Sequence, residues 1–114
     1  MKKRTHRDYI EDILAAIGEI ASFIEGMTKD DFLGDRKTNN AVIRSFEVIG
    51  EATKKFPESF KKKYPLIPWK KMAGMRDKMI HEYFGVDLDI LWQTAKEDIP
   101  KLHGPIDKLR EDIE

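Results

Sequence analysis

Hydrophobic residues recur along this chain at intervals of three and four, almost from end to end. Ile10, Ile13, Leu14, Ile17, Ile20, Ala21, Ile24 and Met27 form the first series, the pattern of an amphipathic helix with one buried stripe. Thr5 and Asp8 precede it at capping-box spacing, and Gly26 lies near its end. Thr28 and Asp31 repeat that spacing and open a short turn through Phe32 and Leu33, which Gly34 breaks. A second long helix is predicted from Asp35 to Phe56, with Val42, Phe46, Ile49, Thr53 and Phe56 on its apolar stripe. Ala41, Ser45, Gly50 and Ala52 are small and leave room for a neighbouring helix. The opposite face carries Asn40, Arg44, Glu47 and Glu51. These read as surface pairs, or as the lining of a cleft or a subunit contact.

Prolines punctuate the next stretch. Pro57 suits the first turn of a short helix, and Tyr64–Pro68 is extended or turned, because a residue before proline avoids the helical region. Trp69 then opens a helix with Met72, Met75, Met79 and Ile80, predicted to run through His81 and stop at Gly85. Asp87 caps a last helix that buries Leu88, Leu91, Trp92, Ala95 and Ile99. Pro100 marks a kink or a new start, followed by Leu102, Ile106 and Leu109, and the tail from Glu111 is expected to fray. No long strand-like alternation appears. The pattern predicts an all-α fold, an antiparallel bundle of four to five helices in one domain over residues 1–114.

Composition narrows the function. With 114 residues, 40% of them hydrophobic, the chain has enough for one modest core. It holds no cysteine, so disulfides, thiolate metal sites and cysteine nucleophiles are excluded. No apolar run approaches the roughly 20 residues of a membrane span, and the basic start lacks a signal-peptide core, which points to a cytoplasmic protein without a membrane partner. The formal net charge is zero, against a generic nucleic-acid coat. Yet nine basic and only two acidic residues lie between Lys54 and Lys78, a local excess able to attract a polyanion. A solvated lysine face gives the same pattern.

The candidate chemistry sits in Arg76-Asp77-Lys78-Met79-Ile80-His81-Glu82-Tyr83. Arginine can hold a phosphate and histidine can move a proton near neutral pH, the two needs of metal-free RNA cleavage. On a helix Asp77 precedes His81 by one turn, where a carboxylate can orient the imidazole. Arg76 and His81 are five apart, roughly 140° around the axis, so they do not share a face. Their tips converge if the arginine wraps around, if the helix end distorts, or if a second subunit brings another copy. The sequence shows no convincing metal-ligand set and implies no cofactor. His6 and His103 read as ordinary solvated histidines, Met72, Met75 and Met79 as core filler, and Trp69 and Trp92 as core or interface anchors.

The octet resembles the Arg-x4-His-x-Tyr motif of the HepT-like proteins of the HEPN superfamily. Arg44-Ser45-Phe46-Glu47-Val48-Ile49-Gly50-Glu51-Ala52 is similar to that family's second-helix signature. Ile67-Pro68-Trp69 with Met72–Arg76, Val86–Trp92, and Asp98-Ile99-Pro100 extend the likeness over nearly the whole chain. The resemblance implies a homodimeric helical bundle whose motif residues line a cleft between subunits. It implies a metal-independent endoribonuclease, the toxin of a type VII-like toxin–antitoxin pair, acting on RNA. It also implies an MntA-like nucleotidyltransferase antitoxin that silences the toxin by AMPylation. Carried over by position, Arg76 and His81 are the catalytic pair and Tyr83 the modified residue. Asp77 as orienter follows from spacing, and Glu51 is a supporting cleft residue. Two other readings stand beside this one: a non-catalytic docking and substrate subunit for a nucleotidyltransferase, which needs Tyr83 but not His81, and a nucleotide-binding helical dimer.

Overall fold

A computed structural model describes residues 3–81 and 85–113 of the chain, with backbone alone for residues 79–81. Its first helices begin where local chemistry places them. The Thr5 hydroxyl accepts from the Asp8 amide and the Asp8 carboxylate accepts from the Thr5 amide, so α1 (His6–Phe23) opens on a closed capping box. Gly26, at φ 75°, turns the chain away after it. Thr28 and Asp31 build a second box for α2 (Lys29–Leu33). Asp35 caps α3 (Arg36–Lys54), accepting from the Thr38 amide at 3.0 Å and the Thr38 hydroxyl at 2.7 Å. Those bonds hold its carboxyl below the usual value.

Packing follows the predicted stripes. Val42, Phe46, Ile49 and Thr53 of α3 are buried with Ile10, Ile13, Ile17 and Ile20 of α1. Each such aliphatic or aromatic side chain contributes roughly 1.5–3 kcal/mol of burial. Thr53 is tolerated there because its hydroxyl donates to the Ile49 carbonyl at 2.6 Å. Pro57 caps the short α4 (Glu58–Lys61), and Phe56, Phe60, Tyr64 and Trp69 gather their rings beyond it. The Trp69 indole N–H donates to the Tyr64 carbonyl at 3.0 Å, as a core anchor must. His6 departs from expectation. Its ring lies 4.5 Å from that of Phe60 and 5.4 Å from that of Phe56, because α1 starts directly over the aromatic cluster. His103 is exposed, as expected.

α5 (Trp69–Ala73) lies against α3 at Gly50, where an added Cβ would stand 3.4 Å from the Ala73 carbonyl oxygen. That gap takes a methyl and nothing larger. Gly50→Leu should therefore lose about 1–3 kcal/mol through displaced α5 packing. Gly50→Ala should stay within about 1 kcal/mol of the parent, helix propensity offsetting the tight contact. Urea unfolding checks both, and an unchanged midpoint for Gly50→Leu would contradict this packing.

After Gly74 the chain forms α6 (Met75–Met79), and there the prediction of one continuous helix fails. β1 (Ile80–His81) pairs antiparallel with β2 (Gly85–Val86), Ile80 opposite Val86 and His81 opposite Gly85. Gly85 takes φ 78°, a conformation suited to glycine, so it shapes a hairpin instead of ending a helix. Ile80 and Val86 are β-branched and favour the pairing.

Asp87 then caps α7 (Leu88–Gln93), accepting from the Ile90 amide at 3.1 Å. A π-helical turn (Thr94–Asp98) leads into α8 (Ile99–Asp112). Pro100 explains the turn. It has no N–H for the Lys96 carbonyl, and the Ile99 amide reaches back five residues to the Thr94 carbonyl. α8 continues helical to Asp112 and Ile113 packs on the core, so the fraying expected from Glu111 is not seen as far as Ile113, and Glu114 lies outside the described residues. α1 packs against both α3 and α8. The result is the expected all-α bundle, with two two-residue strands among the described residues. Among the described residues no helix is long and apolar enough to cross a membrane.

Candidate active site

The close contact at Gly50 sets the site's position. It brings α5, and α6 after it, against α3. Met75 is buried and anchors α6, so Arg76, Asp77 and Lys78 stand on its exposed side. The Arg76 guanidinium Nε lies 3.7 Å from a carboxylate oxygen of Glu47 on α3, with the arginine side chain 50% exposed. An exposed pair of this kind adds little stability, about 0–1 kcal/mol. Its effect is orientation: the guanidinium is held at the surface with donors free to meet a second anion.

His81 follows two residues after the end of α6, on β1. The expected one-turn relation of Asp77 to His81 therefore does not hold, since only Asp77 is helical. The same break means that the 140° helical relation expected between Arg76 and His81 does not apply either. A helix would set them on different faces, whereas here the helix ends at Met79 and His81 lies on β1. Of the three ways the two could meet, the structure has a broken helix end. Glu82, Tyr83 and the His81 side chain lie outside the described residues.

Glu51 stands one turn beyond Glu47 along α3. It is exposed, pairs with Lys54 at 3.7 Å, and lines a separate depression of about 390 Å³ with Arg4, Tyr9, Arg44 and Lys55. Glu47, not Glu51, meets Arg76. Sequence spacing grouped Glu47 with Arg44 and Glu51 but gave no reason to single it out. Its partner is 29 positions away along the chain. In the basic stretch, Lys54 and Lys61 are paired with Glu51 and Glu58. Lys55, Lys62, Lys63, Lys70, Lys71 and Lys78 are exposed and carry no ion pair within the described residues. In sequence these lysines lead up to Arg76, a local excess of positive charge.

Comparison with known proteins bears on what this arrangement does. The family profile described as "Ribonuclease HepT-like" matches residues 13–109. The chain is 56% identical over 108 residues to a protein of Thermococcus cleftensis named "Probable ribonuclease HepT", covering 95% of this chain and 98% of that one. It is 47% identical over 114 residues to "Putative RNase MJ0127" of Methanocaldococcus jannaschii, covering 100% of this chain and 94% of the relative. No solved structure matches.

Proposed function

The chain belongs to the HepT-like ribonuclease family, and from that membership we propose that it is a metal-independent endoribonuclease with Arg76 and His81 as its catalytic pair. The observation that carries the assignment is the exposed Arg76 guanidinium, oriented by Glu47, on a helix that stops before His81. In the reaction an RNA 2′-oxygen attacks the adjacent phosphorus and the bond to the departing 5′-oxygen breaks. The products are a 2′,3′-cyclic phosphate and a 5′-hydroxyl. Arg76 holds the non-bridging oxygens as charge grows on them. His81 takes the 2′-hydroxyl proton or returns one to the 5′-oxygen. In a symmetric homodimer, two copies of His81 facing one cleft divide these transfers.

In this reading residues 1–114 form one domain, and the protein is the cytoplasmic toxin of a type VII-like toxin–antitoxin pair. Its partner is an MntA-like nucleotidyltransferase that AMPylates Tyr83. The adduct adds bulk and negative charge beside an RNA-binding cleft, which repels the substrate. The test combines the purified protein, such a nucleotidyltransferase and ATP, followed by RNA cleavage and intact mass. Wild type should gain adenylyl mass and lose cleavage. Tyr83→Phe should gain none and keep cleaving. Equal silencing of Tyr83→Phe would contradict the switch. Failure of unmodified wild type to cleave RNA would contradict the enzyme.

A further inference from the structure

The connection between α4 and α5 holds a leucine outside the core. The Ile67 amide donates to the Tyr64 carbonyl at 3.2 Å, closing a four-residue turn with Pro65 and Leu66 at its tip. The Trp69 indole donates to the same carbonyl, and the buried Ile67 and Trp69 pin the turn from below. Pro65 fixes its own φ and stiffens the tip. Leu66 is 94% exposed there, against 39% for Phe23, the other exposed large hydrophobic side chain among the described residues. Nothing in the turn itself requires a leucine.

Beside Leu66 a depression of about 420 Å³ opens between this turn and α8. Ile67 and Leu109 form its buried floor, and Tyr64 and Pro105 its walls. Gly104 leaves the α8 side open, since nothing lies within 4 Å of where its Cβ would stand. The charged lining is Lys63, Lys108 and Asp112, all exposed. Lys108 and Asp112 are four apart on α8 and share a flank, and neither has an ion pair among the described residues. The patch is separate from the candidate active site. It shares no residue with the octet or with Glu47, and α8 packs chiefly on α1 and the π-helical turn.

We propose that this face docks on the same face of a second copy of the chain, at an interface distinct from the catalytic cleft. The patch is complementary to itself. It sets a stiff apolar knob beside an apolar hole, so two copies related by a two-fold axis each insert Leu66 into the other's depression. It also carries both signs of charge on one helix flank. Antiparallel α8 helices then set Lys108 of each copy against Asp112 of the partner subunit. An acidic partner protein would meet repulsion at Asp112, and a basic one at Lys63 and Lys108, whereas a second copy satisfies both signs. The stiff turn loses little freedom on docking. The patch is smaller than the roughly 20–30 residues a side of a standard interface, which sets a reversible contact of roughly micromolar strength. In the homodimer proposed above it joins one cleft dimer to another, but it does not depend on that dimer.

The test is sedimentation equilibrium of the full chain from about 1 to 100 μM. Leu66→Asp should weaken association about a hundredfold or more, since a leucine returns to water in each copy, and should bring the mean mass toward half the parent's. Its thermal unfolding should match the parent at the lowest concentration, because Leu66 is exposed. Lys108→Asp and Asp112→Lys should each weaken association about tenfold, since each sets like charges face to face across the axis. An equal mixture of these two variants should associate as the parent does. One then offers only carboxylates at the two positions and the other only lysines, a recovery that two docked copies of this face produce and a foreign partner does not. A parent no heavier than Leu66→Asp at the highest concentration overturns the proposal, as does a mixture that stays as weak as its components. RNA cleavage by Leu66→Asp should equal the parent's. Cleavage lost together with the mass would make this the cleft face and overturn a distinct interface.

Discussion

Arg76→Ala is expected to slow RNA cleavage by about 10²–10³-fold, the usual loss when one donor to a developing oxyanion is removed. Stability should hardly change. The Arg76 side chain is half exposed, and its ion pair is the 3.7 Å contact with Glu47. Single-turnover cleavage and thermal unfolding, measured on the same sample, separate the two effects. Arg76→Lys should recover only part of the rate, because an ammonium cannot present two parallel donors to a phosphate. Glu47→Gln gives a milder loss, since it leaves the guanidinium in place but less firmly oriented. A full rate in Arg76→Ala would remove the arginine from the mechanism.

His81→Ala is expected to lower cleavage by about 10²–10⁴-fold, the range for loss of a positioned acid or base. The double variant Arg76→Ala/His81→Ala should lose far less than the product of the two single losses. Residues that act on one transition state are not additive, because removing either disables the step the other serves. Additive losses would mean that the two residues act independently. Binding of uncleaved RNA should survive in His81→Ala and weaken in Arg76→Ala, since only the arginine carries permanent charge.

The sequence discloses the parts of this molecule that local chemistry governs. Both Thr–Asp capping boxes, the Asp87 cap and the buried stripe of α3 follow from residues a few positions apart, while Asp35, placed inside the helix by its pattern, caps it instead. Pro100 likewise announces a break, although it does not say that a π-helical turn will absorb it. The hairpin is harder to foresee. Ile80, His81, Gly85 and Val86 pair across a connection, and Met75–Met79 gives a strong helical start that invites extension. The Arg76–Glu47 pair and the Gly50–Ala73 approach join segments far apart in the chain, where spacing carries no signal. Position in the motif brings out Arg76, His81 and Tyr83. Glu47 emerges only from three-dimensional placement, as does the Asn39 side-chain oxygen, buried without a hydrogen-bond partner among the described residues.

The central claim is metal-free transesterification at Arg76 and His81. Its most direct measurement is cleavage of an end-labelled single-stranded RNA by the purified protein in excess EDTA, with the product ends identified and His81→Ala run in parallel. The account predicts undiminished cleavage in EDTA, 2′,3′-cyclic phosphate and 5′-hydroxyl ends, and a near-silent His81→Ala. Cleavage that vanishes in EDTA, returns with magnesium and leaves 5′-phosphate ends, or that persists in His81→Ala, would contradict it.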